Sequence, residues 1–570
     1  MKITVSKSKN ATLLYLTKSV RINGKSTTKT IEKLGSLEEV QKRAGKIDAI
    51  EWAKAYAAKR TAEEKKSSKD IIVKYSSSLI IDKNIRNSCN IGYLFLQDIY
   101  YSLGLDKICS LISQKYNFDY DLNEIFSILV YSRIISPGSK LSSFESAKNF
   151  IEQPKCELHQ IYRALEVIAK ENDFFQSQLY KNSQNVINRK NDVIYYDCTN
   201  YYFEIEDEDD FRKYGVSKEH RPNPIVQMGM FMDADGIPLA FSLFDGNQNE
   251  QNSMTPLEKK IIKDFEASEF IVCTDAGLSS MTNRKYNNLQ GRKFVTTQSV
   301  KKLKNFLQDF CLEDNGWRLL GDTQTYKISE IDEELNYNKI FYKERWINEN
   351  GLEQRLIVTY SPKYCNYQKN IRQRQIQRAS KFVERPSKLH KRNSNDPKRF
   401  IEQEHCTIDG EVASRTITSL NFKQIENEAK YDGIYAVCTN LECDISKIIS
   451  INKKRWEIEE CFRIMKTEFK ARPVYLSRKD RITAHFISCF TALVIYRILE
   501  QKVNYSYTSE ELIKTLRTMD MMILPGDGYV PAYTRTDITD ALHEAFGFRT
   551  DNQITSQQKM RKILNHTKKA

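Results

Sequence analysis

None of the 12 cysteines forms a Cys-x-x-Cys pair, and the closest two, Cys438 and Cys443, have no matching pair elsewhere. That spacing excludes a structural zinc framework and points to reduced thiols in the cytosol. Histidine is scarce too, with seven residues scattered along the chain. A catalytic metal here would have to be held by oxygen. No apolar run reaches the roughly 20 residues that cross a bilayer, so no transmembrane helix is expected. The N-terminus, Met1-Lys2-Ile3-Thr4, lacks the apolar core of a signal peptide.

The 570 residues suffice for roughly three or four domains with a large core. Lys plus Arg is 88 and Asp plus Glu is 74, a surplus of 88 − 74 = +14. Such a surplus favours a polyanionic partner, nucleic acid first. A merely basic protein would share the balance, so charge alone does not decide.

Two short apolar runs end in an acid. Val193-Ile194-Tyr195-Tyr196 leads into Asp197, and Phe270-Ile271-Val272-Cys273-Thr274 into Asp275-Ala276-Gly277. Each reads as a buried strand with a carboxylate at its end. An isolated strand-end Asp is usually a turn cap. Two in one domain are harder to dismiss as caps, and a buried carboxylate needs a partner such as a metal ion. Between them, Ile225–Met232 and Ile237–Phe244 flank Asp233-Ala234-Asp235-Gly236, an antiparallel hairpin without the 12-residue calcium-loop pattern. A helix is expected over about 253–265, and Gly277 permits a tight turn.

Elsewhere the patterns are structural. Residues 11–34 carry Asn23-Gly24 between two β-rich arms decorated with lysines, a hairpin signal. Ser36-Leu37-Glu38-Glu39 fits a capping box that opens a helix toward Lys66. Residues 68–82 read as a strand and linker, and 91–188 have helical period. From 300 to about 430 the chain is polar, with short β arms. Its segment 372–399 holds ten cations, among them Arg372, Arg374 and Arg378, against two acids. A phosphate-backbone role suits that density; a solvated charged segment is the plain alternative. Trp317 and Trp346 are candidates to stack on an exposed base, with core packing the commoner use.

A helix is expected from Ile445 to about Lys470. Along it, Arg455, Glu459, Phe462, Arg463 and Lys466 fall at i, i+4, i+7, i+8 and i+11, one face of cations with one carboxylate.

These residues resemble the Y-R-E-K signature of bacterial insertion-sequence transposases of the DDE, RNase-H-like superfamily. Arg455, Glu459 and Lys466 keep its spacing, while Asn452 stands at the tyrosine position. Tyr196-Asp197-Cys198-Thr199 resembles the first-Asp motif, Thr274-Asp275-Ala276-Gly277-Leu278 the second, and Asp245-Gly246-Asn247 the intervening turn. The gaps are 275 − 197 = 78 and 459 − 275 = 184 residues. The resemblance runs from about 90 to 500.

The resemblance implies an α/β fold: an RNase-H-like core, a mixed sheet flanked by helices, interrupted by a β-rich insertion domain. The expected division is a basic hairpin/helix module (1–75), a helical module (76–190), the core's first part (191–300), the insertion (301–430), the core's second part (431–505) and a C-terminal helical region (506–570). It implies metal-dependent cleavage at insertion-sequence ends and transfer of the 3′-OH into target DNA. Asp197, Asp275 and Glu459 would hold two Mg²⁺ or Mn²⁺ ions. Arg455, Lys466 and Arg463 would contact DNA, as would Arg372, Arg374, Arg378, Trp317 and Trp346. The implied partners are terminal inverted repeats, target DNA and a second copy of the chain, in a bacterial cytoplasm at the nucleoid. The alternatives are an inactive DNA-binding relative and a nuclease without strand transfer.

Overall fold

The computed structural model describes residues 2–7, 12–22, 25–45, 47–66, 77–78, 80–265, 269–383, 396–406 and 415–569. They form two compact units, Met1–Ile85 and Arg86–Ala570.

In the first unit, strands Lys2–Lys7, Thr12–Ile22 and Lys25–Ser36 make an antiparallel sheet. Pairing of the last two runs to Ile22↔Lys25; the expected Asn23-Gly24 turn lies outside the described residues. The capping box is present: the Ser36 amide donates to Glu39 at 2.8 Å and the Glu39 amide to Ser36 at 3.2 Å. One helix was expected toward Lys66, but there are two, Leu37–Ala44 and Ala49–Lys66. Gly45, at φ 62°, ends the first, and Asp48 caps the second through the amides of Ile50 and Glu51. Most of the strand and linker expected over 68–82 lies outside the described residues, and no strand occurs at the described positions there.

The second unit is built on a ten-stranded sheet. In chain order its strands are β1 (Val193–Tyr202), β2 (Ile225–Met232), β3 (Pro238–Asp245), β4 (Ile271–Thr274) and β5 (Lys293–Gln298). Then come β6 (Trp317–Leu319), β7 (Thr325–Tyr326), β8 (Phe341–Glu349), β9 (Leu352–Tyr360) and β10 (Ile434–Thr439). The first five lie in the order β3-β2-β1-β4-β5. β1, β2 and β3 pair antiparallel; β1 with β4 and β4 with β5 pair parallel. This is the RNase-H-like arrangement. β10, at the start of the expected second part of the core, pairs with β5, and the polar segment after residue 300 extends the same sheet: β9 pairs with β10 and β8 with β9.

β1 alternates between two cores. Ile194, Tyr196 and Cys198 pack with the helix Met254–Asp264, while Tyr195 and Tyr201 face the large helical core. That core gathers the expected helices between 91 and 188, among them α1 (Leu122–Ile135), α2 (Lys140–Ala147) and α3 (Leu158–Lys170). They pack around a 24-residue helix, Lys479–Lys502. By length and composition that helix could cross a membrane, but 94% of its most apolar window is buried within the fold, as in a core helix. The C-terminal region joins in, with strand Asp520–Leu524 paired to Ser88–Asn90 and Leu542 and Phe546 buried in the same core.

The helix expected over 445–470 is also two, α4 (Ile445–Lys453) and α5 (Trp456–Thr467). At the junction the Glu457 amide donates to Lys454 and the Ile458 amide to Arg455, tight three-residue turns that re-aim the axis.

Candidate active site

β1 does not end at Asp197; it runs five residues further, because Thr199, Tyr201 and Tyr202 continue the pairing with β2. The parallel ladder with β4 does stop there, at Tyr195↔Cys273. The same 78-residue offset (273 − 195) separates Asp275, one residue past the end of β4, from Asp197, two residues past the last paired position of β1 with β4. The two carboxylates thus emerge where the parallel pairing of β1 and β4 ends, near enough for the Asp275 charge to act on Asp197. The Cys198 amide donates to Asp197 Oδ1 at 2.7 Å, and the Leu278 amide to Asp275 Oδ1 at 3.1 Å. Gly277 keeps this turn open by its size rather than its φ: a Cβ there would stand 3.3 Å from Asp275 Oδ1.

Asp197 shares a strand face with Tyr195 and Tyr201. Tyr195 donates to the Ile451 carbonyl of α4 at 3.0 Å, and the Tyr201 hydroxyl lies 3.7 Å from Met465 Sδ of α5. The helix pair therefore crosses over Asp197. Three acids stand near the start of α5, and their surroundings separate them. Glu457 pairs with buried Arg497 at 2.6 Å, and Glu460 with Arg463 at 2.6 Å. Glu459 pairs with Arg455 at 3.2 Å, and that guanidinium also lies within the field of Asp275 and Asp197.

Burial pushes the Asp197 carboxyl up to about 7, Lys218 pulls it down, and Asp275 adds to the rise. Burial opposes the Lys218 charge, but Asp197 and Glu250 hold its ammonium above the usual lysine value. Lys466 goes the other way, lowered to about 8 by burial and by Lys218. Its ammonium lies 3.3 Å from Glu219, which also pairs with Arg472. Burial likewise works against Arg455, and Tyr435, Glu459, Asp275 and Asp197 together keep it charged. Among the described residues, no three His, Cys, Asp or Glu side chains are clustered closely enough to hold one ion. Glu459 leans on Arg455 with its side chain 58% exposed.

Lys218, Glu219, Glu250 and Tyr435 belong to this neighbourhood and carried no signal in the sequence. The Tyr435 hydroxyl accepts from Asn452 Nδ2 at 3.2 Å, so a phenol stands beside the position where the family signature has its own tyrosine.

Residues 192–495, more than half of the 570, match the family described as transposase DDE domain. The chain is a member of the DDE transposases. Residues 1–70 of this transposase match the N-terminal domain of the IS1634 family of transposases, so the insertion-sequence part of the resemblance holds. No curated relative matches the sequence. Among solved structures, a piggyBac transposase synaptic complex with hairpin DNA is 9% identical over 83% of this chain and 84% of that one, with a TM-score of 0.36.

The remaining DNA-contact expectations fall in different places on the transposase. Trp317 is fully buried, its indole donating to the Glu313 carbonyl at 3.0 Å, so the stacking expectation is corrected to core packing. Trp346, on β8, is 47% exposed. Arg372 is spent on a two-toothed ion pair with Asp432, which holds the helix Pro362–Val383 to the turn before β10. Arg374 and Arg378, one turn apart on that helix, are exposed. Arg385, Lys388, Lys391 and Arg392 lie outside the described residues. Arg463, engaged by Glu460 and by Ser509 at 2.7 Å, does not face the aspartates.

Proposed function

We propose that this transposase cuts the ends of its insertion sequence and joins the freed 3′-OH to target DNA, with Asp197, Asp275 and Glu459 as the metal-holding set. The observation that carries the reading is the register. One acid on β1 and one just past the end of the parallel strand β4 lie by a helix pair whose Arg455 feels both of them and Glu459. The donor set suits a hard divalent cation such as Mg²⁺ or Mn²⁺. It is all oxygen, and a positive ion would offset both the burial and the repulsion that raise Asp197. Bound there, a pair of such ions would supply an activated water and a stabilised leaving oxygen.

The chain's own residues do the rest. Glu459 joins the aspartates by turning its exposed side chain away from Arg455. That releases the guanidinium to grip a phosphate next to the scissile bond, two N–H groups to two oxygens. Lys218 and Lys466, both within the field of Asp197, add positive charge where the pentacoordinate phosphate gathers negative charge. Trp346, Arg374 and Arg378 contact the DNA outside the cleft, and a second copy of the chain holds the other end. The site of action is the bacterial cytoplasm, at the nucleoid.

Single alanine substitutions at Asp197, Asp275 and Glu459 test this. Each is expected to abolish nicking of end DNA in Mg²⁺ or Mn²⁺ while leaving binding largely intact, since phosphate contacts come from cations. Nicking retained by any one of them removes that residue from the set. A strand-transfer assay with pre-cut ends separates a transposase from a nuclease, which would cut but never join.

A further inference from the structure

A second cationic site lies beyond the end of α5, and the mechanism above does not use it. A cavity of about 410 Å³ opens between the α1–α2 turn and the segment after α5. Arg133, Lys140, Lys470, Arg472 and His485 line it, and no Asp or Glu does. Lys140 is 3% exposed and Arg133 1%.

Their donors are only partly used. Arg133 gives its two terminal nitrogens to the carbonyls of Phe469 and Gly138, each at 3.2 Å, and its Nε has no partner. Arg472 is tied to Glu219 by one terminal nitrogen, and its Nε is likewise buried without a partner. The Lys140 ammonium lies 3.2 Å from His485 Nδ1. His485 Nε2 is 3.1 Å from the Ala471 carbonyl, which can only accept, so Nε2 carries the proton and Nδ1 accepts from Lys140. That leaves two of the three ammonium protons uncommitted. Among the described residues no carboxylate pairs with Lys140 or Arg133. Two desolvated cations side by side, with orphaned donors and no acid, oppose folding unless something negative completes the site.

We infer that this cavity takes one backbone phosphate of the DNA, from the strand that runs out of the active site. Its chemistry fits a compact oxyanion: N–H donors, positive charge and no carboxylate in the lining to repel it. Its position favours a DNA phosphate over a free one. Arg472 shares Glu219 with Lys466, and Lys466 stands within the field of Asp197, so one ion-pair network joins the cavity to the candidate active site. The strand seated at Asp197 would reach the cavity without leaving a positively charged track. The inference rests on the transposase reading of the Asp197 site and adds a contact to it.

The test is end-DNA affinity of the full chain, measured in EDTA across a salt series, for wild type and for Lys140→Met and Leu141→Glu. Leu141 is a half-exposed residue at the rim, where a carboxylate would repel phosphate without disturbing the core. Both variants should bind about tenfold more weakly, the loss of one charge-assisted contact. For Lys140→Met the slope of log K against log salt should fall by about 0.9, one phosphate's worth. Lys140→Met should also melt no lower than wild type without DNA, which a merely structural lysine would not allow. Unchanged affinity and slope in both variants overturns the inference. So does the case in which inorganic phosphate raises the melting temperature of wild type but not of Lys140→Met while DNA affinity stays the same, for then the site holds a free anion. Because binding is read without metal, these outcomes are independent of whether Asp197→Ala still nicks.

Discussion

Arg455 and Glu459 are joined by a 3.2 Å ion pair across the first turn of α5, and the same guanidinium feels Asp197 and Asp275. One cation thus stands among three acids that would otherwise repel one another. Replacing Arg455 with Gln should reduce nicking by at least about tenfold under single-turnover conditions, the scale of one charge-assisted phosphate contact. Arg455→Lys should restore the charge but not the two-toothed grip, and recover only part of the rate. Equal activity in the Gln variant would place the phosphate grip elsewhere.

Metal removal should separate binding from chemistry. EDTA is expected to abolish nicking, and Mg²⁺ or Mn²⁺ to restore it, with end-DNA affinity nearly the same throughout. Asp275→Asn should weaken metal-dependent nicking and also lower the pH at which Asp197 ionises, since one source of repulsion is gone. Carboxyl chemical shifts followed against pH would read that change directly.

Lys140 gives a stability profile with a definite sign. Burial and then Arg133 lower its ammonium from 10.5 to about 7. The neighbours that face it are Arg133, His485 and Cys489. Between about 7 and 10.5 the unfolded chain binds the extra proton, so native stability should rise with pH across that window and level off above it. In Lys140→Met that rise should vanish. The variant's advantage should be largest below pH 7, at most about 5 kcal/mol before relaxation, and near zero by pH 10.5. Denaturant unfolding at pH 7 and pH 9.5 would show it, and a larger advantage at the higher pH would contradict the assignment.

The two candidate tryptophans should part company. Trp317→Ala is expected to cost about 3–5 kcal/mol of stability, as for other large core side chains. Trp346→Ala, at a half-exposed site, should change stability by no more than about 1 kcal/mol. A fall in end-DNA affinity for Trp346→Ala at an unchanged melting temperature would then report a lost stacking contact.

The sequence showed the two acid-ended runs because short apolar strands and their terminal carboxylates are local patterns. It showed the Ser36 capping box for the same reason. It did not show that β1 runs on past Asp197, since that extension depends on pairing with β2, which lies beyond an intervening loop. Nor did it show the break at Lys454 and Arg455, where no Gly or Pro marks the change of axis. Trp317 and Trp346 looked alike, because burial in a β-rich segment follows from sheet packing and not from neighbours in sequence. Lys218 and Glu219 come from a loop without periodicity, and Lys140 meets His485 across 345 residues. Charges assembled over such separations leave no spacing to read.

The strands that follow residue 300 continue the sheet that carries the aspartates. From β8, where Trp346 is displayed, to β1 the order is β8-β9-β10-β5-β4-β1, five steps. At about 4.8 Å a step this is roughly 24 Å, near the rise of seven base pairs. A base held at Trp346 would therefore be measured off from the cleavage point by hydrogen-bonded backbone. For a base stacked there, the reach from grip to cut would be set by the sheet when it forms.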